Sequence, residues 1–244
     1  MLSKAKIKFI KSLQIKKYRR QEQCFIVEGA KSVRELLASD FEVQTLIGTA
    51  EFLSTIHPFP GVEMIEAGVN ELQGLGEFQT NDSAIAVAKQ KANDPFSIDG
   101  DEYALVLDDI RDPGNLGTII RTADWFGLKK IVASNETADF YNQKVINATM
   151  GSFARVRVFY TDLHIYLKSV TIPVYGTYLD GADIHGIDFG RNGLILIGNE
   201  SKGIGTDLEK YVTQKVTIPK RGRAESLNAA IAAGILCFAI SGHA

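Results

Sequence analysis

The run YALVLDDIRDPGNLGTIIRTADWFGLKKIVA, residues 103–133, reads as strand, loop, helix, strand. The segment Ala104–Asp108 is almost wholly apolar and too short for a helix, and Lys130–Ala133 repeats the pattern. Between them Leu116–Phe126 carries helical spacing. Short apolar strands alternating with helices are the mark of a parallel sheet covered on both faces. Further strands read at Val156–Phe159, Val174–Thr177, Leu194–Gly198 and Val216–Pro219, and a last helix runs from Leu227 to about Ser241. Ligands of such sheets sit beyond the carboxyl ends of the strands. The residues that follow each strand are therefore where chemistry is expected.

Upstream the character changes. Residues 1–31 hold nine cations (Lys4, Lys6, Lys8, Lys11, Lys16, Lys17, Arg19, Arg20, Lys31) against Glu22 and Glu28, about +7 in a chain whose net charge is −2. Such a concentration suits contact with a phosphate backbone; a solvated helix face is the plainer alternative. Ile7, Ile10, Leu13 and Ile15 thread through it at near-helical spacing, so the arm is expected to be folded. Phe25–Val27 then reads as a strand and Val33–Leu37 as a helix. Strands around Val43–Ile47, Val62–Ile65 and Ala84–Ala88 follow, interleaved with short helices near 51–56 and Leu72. This is a small α/β domain. The Asn, Asp, Pro and Gly of residues 91–100 mark a linker, giving domains at 1–92 and 99–244.

Several classes fall away. A hydrophobic share of 45% with 23% charged residues is that of an ordinary globular protein. The longest apolar run, Ile231–Ile240, is far below the roughly 20 residues of a membrane span, and the apolar residues of the N-terminus are interrupted by lysines, unlike a signal peptide. Two distant cysteines, Cys24 and Cys237, build neither a disulfide framework nor a zinc site and are expected to be buried, in a cytoplasmic protein. The four histidines have no metal or triad spacing, so no metal is expected.

Three loops carry the remaining signal. In residues 107–127 Asp108 and Asp109 end a strand, Pro113 and Gly114 turn the chain, and Asn115 is read as the cap of a helix bearing Gly117 and Arg121. A guanidinium near a helix N-terminus suits an anion such as an RNA phosphate. In LILIGNESKGIG (194–205) Gly198 ends a strand where a flat ligand could approach the backbone, and Glu200 is either an anchor or a surface carboxylate. In VTIPKRGRAESLNAAIAAG (216–234) Ser226 and Asn228 open a helix rich in alanine, where Ser226 taken alone reads as an N-cap sooner than as a catalyst. Neither a P-loop nor a GxSxG elbow is present.

Together, Asn115/Gly117/Arg121, the run Gly198–Gly203 and Ile218–Asn228 resemble the three motifs of the SpoU (TrmH) family of the SPOUT class of RNA methyltransferases. The resemblance spans most of residues 103–244, and the basic arm with FIVEGAKSVRELL resembles that family's ribosomal-protein-like substrate-binding domain more loosely. It implies a SPOUT-type α/β domain with a trefoil knot, bound S-adenosyl-L-methionine, a homodimer, and 2′-O-methylation of RNA. Ribosomal RNA is favoured over transfer RNA because the N-terminal extension is a full domain. Carried over by position, Gly198, Ile218 and Leu227, with Thr177 just past a strand, would contact the cofactor. Arg121 would be the catalytic arginine, surrounded by Asn115, Glu200, Ser226 and Asn228. Family accounts make that arginine the base; because a guanidinium holds its proton so tightly, binding the phosphate and the forming alkoxide is the reading preferred here. One departure is visible: Ala230 stands where the family commonly has a second serine. A catalytically idle RNA binder on the same fold is the rival expectation.

Overall fold

The computed structural model describes residues 2–77, 80–98 and 100–241; the expected domain start at Asp99, and His243, lie outside the described residues. The chain forms two compact units, one of Met1–Ala92 with Asp139–Ala154, the other of Asn93–Ala138 with Arg155–Ala244.

In the first unit the basic arm folds as two helices, α1 (Lys4–Ser12) and α2 (Lys16–Glu22). Then follow β1 (Cys24–Glu28), α3 (Ala30–Leu37), β2 (Val43–Gly48), α4 (Ala50–Ser54), β3 (Glu63–Glu66), α5 (Val69–Leu75) and β4 (Ala84–Lys89). The sheet order is β1-β4-β2-β3, with β4 antiparallel to both neighbours and β3 parallel to β2. One face packs Ile26, Ile47, Ile85 and Val87 against Ile10, Leu13, Leu72 and Leu75. The helical spacing thus buries Ile10 and Leu13, but Ile15 stays 54% exposed. The reason is local: α1 ends at Ser12 and Ile15 is the residue that opens α2.

Every residue of β1 is buried, so its second face needs cover as well. Part of that cover is the excursion 139–154, including the helix Gln143–Ala148. The Phe25 ring lies 4.7 Å from Tyr141 and 5.3 Å from Phe41, with Phe153 beyond at 6.3 Å. Arg19, 2% exposed, donates to the carbonyls of Leu13 and Gln14 and to Asp139 Oδ2 at 2.7 Å. Two cations of the arm are thereby engaged in structure, Arg19 here and Lys6 with Glu63. Lys4, Lys8, Lys11, Lys16, Lys17, Arg20 and Lys31 are exposed.

The second unit contains β5 (Tyr103–Leu107), α6 (Pro113–Trp125), β6 (Lys130–Ser134), and, past the excursion helix α7 (Gln143–Ala148), β7 (Arg157–Thr161). It continues with α8 (Leu163–Lys168), β8 (Val174–Asp183), β9 (Gly193–Ile197), β10 (Gln214–Thr217) and α9 (Ala229–Ser241). All pairings are parallel, in the order β10-β8-β9-β5-β6-β7. Ala104, Val106, Val132, Leu194 and Leu196 of the central strands pack with Leu163 and Leu167 of α8. The chain leaves β5 toward β6 and β7, then returns to lay β9 on the other side of β5. That reversal makes a topological switch point at the carboxyl ends of β5 and β9, where the ligand crevice of an open parallel sheet usually lies. Helix α9 packs on α6, where a Cβ at Gly234 would make an ordinary van der Waals contact of 3.8 Å with Thr122.

Three local readings need correction. Helix α6 starts at Pro113, because Asp112 caps it by accepting from the Asn115 N–H at 2.8 Å and proline presets the first turn. Asn115 is therefore not the cap. Helix α9 starts at Ala229, capped by Asn228, which accepts from Ala230 N at 2.9 Å and Ile231 N at 3.3 Å; Ser226 precedes the helix. Thr177 lies inside β8, which continues to Asp183 and bulges against β10, so that Lys215 faces Gly176 but Val216 faces Ala182. As the composition of the linker suggests, residues 90–98 form neither helix nor strand. No helix among the described residues is long and apolar enough to cross a membrane.

Candidate active site

The crevice is built by loops that fasten one another. At the end of β5, Asp109 takes φ 58°, a left-handed conformation that Asp tolerates better than most side chains. Its N–H donates to Ser134 Oγ at 3.0 Å, and its carbonyl accepts from Asn199 Nδ2 at 2.9 Å. Asp108 Oδ2 accepts from the Gly205 N–H at 2.8 Å. Burial pushes the Asp108 carboxyl above its ordinary value, and the Gly205 N–H pulls it partly back. Two bonds thus pin the loop after β9 to the end of β5.

That second loop is compact. The backbones of Asn199 and Gly203 exchange hydrogen bonds of 3.1 and 2.8 Å, and Gly203 has φ +71°. Gly198 is pressed against the returning chain; a Cβ there would lie 2.2 Å from the Gly203 carbonyl carbon and 2.3 Å from Ile204 N. Only glycine allows this approach. The Asn199 side chain bridges further, its Oδ1 accepting from Ser201 N and Lys202 N.

The third loop joins through side chains. Asn115 Nδ2 donates to Glu200 Oε1 at 2.5 Å, and Asn115 Oδ1 accepts from Asn228 Nδ2 at 2.9 Å. Asn228 in turn caps α9. A single chain of bonds therefore runs from Glu200 through Asn115 and Asn228 to the start of α9. Both ends of the Asn115 amide are occupied, which fixes its orientation.

Of the expected site residues, Asn115, Glu200 and Asn228 are brought into contact. Arg121 lies farther along α6, exposed, with no hydrogen bond or ion pair among the described residues. Ser226 is exposed in the chain before α9. Ile218 and Thr177 are half-buried, and Leu227 is 45% exposed. Ile218 and Leu227 offer apolar side chains rather than charges, which suits a flat, largely apolar ligand such as the adenosine of S-adenosylmethionine, while the Cβ side of Gly198 is filled by Gly203 and Ile204. Among the described residues no group of three or more His, Cys, Asp or Glu could hold a metal. Both cysteines are free and buried. Burial drives the Cys237 thiol up to about 12 and also raises Cys24, which disfavours thiolate chemistry.

Residues 102–238 match the model of the SpoU rRNA methylase family, and residues 4–86 match the MRM3-like substrate binding domain. The chain belongs to the SpoU rRNA methylase family. Over 241 residues, 97% of this chain and 96% of its relative, this SpoU protein is 32% identical to a Bacillus subtilis protein named 23S rRNA (guanosine(2553)-2'-O)-methyltransferase RlmP. Among solved structures it resembles an AdoMet-bound rRNA methyltransferase from Sinorhizobium meliloti, at TM-score 0.87 and 29% identity, covering 100% of this chain and 96% of that one. It also resembles the SpoU methyltransferase AviRb of Streptomyces viridochromogenes in complex with AdoMet, at TM-score 0.87 and 25% identity, with 98% of each chain covered.

Sequence reading missed the residues that hold this SpoU site together. Asp112 was legible, since an Asp directly before Pro113 is a strong cap-and-start signal. Asn199 and Asp108 were not, because their roles arise from the adjacency of β5 and β9, strands distant in sequence.

Proposed function

We propose that this SpoU methylase transfers a methyl group from S-adenosylmethionine to a ribose 2′-hydroxyl of ribosomal RNA. The observation that carries the reading is the meeting of all three motif loops at one switch point, where Glu200, Asn115 and Asn228 bond in series. Relatives named as 23S rRNA 2′-O-methyltransferases support ribosomal RNA over transfer RNA. AdoMet-bound neighbours of the same fold weigh against an idle binder.

In this reading residues 1–92 are the RNA-binding domain and 99–244 the catalytic domain. The cofactor supplies an already activated methyl group, held by Gly198, Ile218, Leu227 and Thr177. What the chain must add is alignment and charge stabilisation. Arg121, without a hydrogen-bond or ion-pair partner among the described residues, binds the phosphate beside the target nucleotide and stabilises the 2′-oxygen, whose proton passes to solvent as the methyl is transferred. Asn115, locked between Glu200 and Asn228, orients the ribose, and Ser226 lines the approach. The knot, which the family resemblance implies, belongs to the same reading.

Arg121→Ala should lower kcat by about 10²-fold or more while cofactor affinity by calorimetry is kept. Arg121→Lys, which keeps the charge but loses the fork, should recover only a small part. Full activity in the lysine variant would sink this role for Arg121.

A homodimer is part of the proposal. Helix α9 is apolar on all sides, yet Ile231 and Phe238, seven residues apart on one face, are 56% and 71% exposed, and Trp125 of α6 is 84% exposed. A helix apolar all round calls for cover on every side, and a second copy of this face would provide it. Phe238→Glu should shift the sedimenting species from dimer to monomer; an unaltered dimer would assign the contact elsewhere. Buried, unpaired cysteines suit a cytoplasmic setting.

A further inference from the structure

The second unit is acidic, with seventeen carboxylates against fourteen cations. Half of those cations are engaged: Arg111 with Asp109, Lys130 with Glu102, Arg155 with Asp124, Arg191 with Asp101 and Lys215 with Glu209, while Arg157 and Lys210 lie over the rings of Phe96 and Tyr211. Seven side chains have no hydrogen bond, ion pair or ring contact among the described residues. Two of them, Lys129 and Lys168, lie away from the crevice. The other five are Arg121, Lys202, Lys220, Arg221 and Arg223, all on the motif segments.

Three of these five fall within four residues, Lys220-Arg221-Gly222-Arg223, and every residue from 220 to 228 is exposed. Asp183 feels the charge of Arg221, but its carboxylate is held first by the N–H and ring of His185. Three like charges within four residues, against the single carboxylate Glu225 in the same loop, repel one another in the free protein, and an anion that arrives between them is attracted. Its place narrows which anion. The loop starts two residues after Ile218 and ends five residues before Asn228, so Arg223 is at most about 17 Å of chain from the residue bonded to Asn115.

We propose that Lys220, Arg221 and Arg223 form a phosphate grip on the catalytic unit, holding the RNA backbone next to the nucleotide that is methylated and acting separately from the basic N-terminal helices. The inference rests on the RNA-methylating reading above, which it extends from the target ribose to the flanking strand. Each phosphate neutralised on a single strand adds about 0.7 to the slope of log affinity against log salt.

The test measures binding of the full-length protein to a fluorescent oligouridylate strand by anisotropy across a salt series. The Lys220→Gln, Arg221→Gln, Arg223→Gln triple variant should lower the salt slope by about 2 and raise KM for ribosomal RNA about tenfold or more. Its cofactor affinity and melting temperature should match the parent chain, as befits an exposed loop. An unchanged slope overturns the proposal, and so does a fall in cofactor affinity alongside the slope, because the loop would then serve the cofactor. Replacing Lys4, Lys8 and Lys11 by glutamine should remove a separate, additive part of the slope; if the two losses are not additive, the surfaces are not independent and the proposal fails. If the parent chain keeps its slope and the triple variant loses it, but no RNA accepts methyl groups, the grip stands and the methyl-transfer reading falls.

Discussion

Gly198→Ala should abolish measurable cofactor binding and methyl transfer while leaving the chain folded. The added Cβ would sit 2.2 Å from the Gly203 carbonyl carbon and 2.3 Å from both Gly203 O and Ile204 N. These are backbone atoms, so no flexible side chain can swing away, and the loop itself must move. Moving it strains the Asn199–Gly203 backbone pair and the Asp108–Gly205 bond, and it carries Glu200 away from Asn115. Methyl transfer should fall by about 100-fold or more, since a displacement of about 1 Å in a positioning element costs on that order in rate, and cofactor affinity measured by calorimetry should fall with it. Gly186→Ala is the matched control: nothing lies within 4 Å of its Cβ position, and its affinity should be that of the parent. Equal behaviour of the two variants would mean that Gly198 has no special place in the loop.

Asp139→Ala should strongly destabilise the first unit. It removes the one carboxylate bonded to Arg19 among the described residues, leaving a 2% exposed guanidinium with the carbonyls of Leu13 and Gln14. Breaking a buried pair by deleting one member costs about 3–5 kcal/mol. The lower end applies, because the Asp139 side chain is 19% exposed and the two carbonyls remain. Asp139 also accepts from the Tyr141 N–H, so the change loosens the entry to the excursion whose Tyr141 and Phe153 cover β1. The diagnostic sign is in the double variant: Arg19→Met with Asp139→Ala should be more stable in urea than Asp139→Ala alone, since no charge is left buried without its partner. A double variant less stable than the single one would show that Arg19 acts through its carbonyl bonds rather than through the ion pair.

The two halves differ in how much of them could be read in advance. Strands β5, β6 and β9 are apolar along nearly their whole length because both faces are covered, and that leaves an unmistakable trace in sequence. The small domain was legible for a different reason: its apolar segments are short and clearly separated by turn residues. What escaped were consequences of packing between distant segments. Nothing local in Asp139–Ala154 says that it belongs with β1; the decision is made by Phe25, Phe41 and the buried Arg19. Asn115 was misread as a cap because Asn is a good one, yet Asp112 and Pro113 upstream fill that role and release the Asn115 side chain for Glu200 and Asn228. Thr177 was placed beyond its strand since the bulge that prolongs β8 depends on β10, nearly forty residues later.

The most direct test of the account is transfer of tritiated methyl from S-adenosylmethionine to unmodified total RNA, separated by size, with Arg121→Ala run beside the parent chain. The account predicts label in ribosomal RNA alone, stable to alkali as a ribose methyl is, and lost in the variant. Failure of the parent chain to bind the cofactor or label any RNA would contradict it and leave an RNA binder without catalysis.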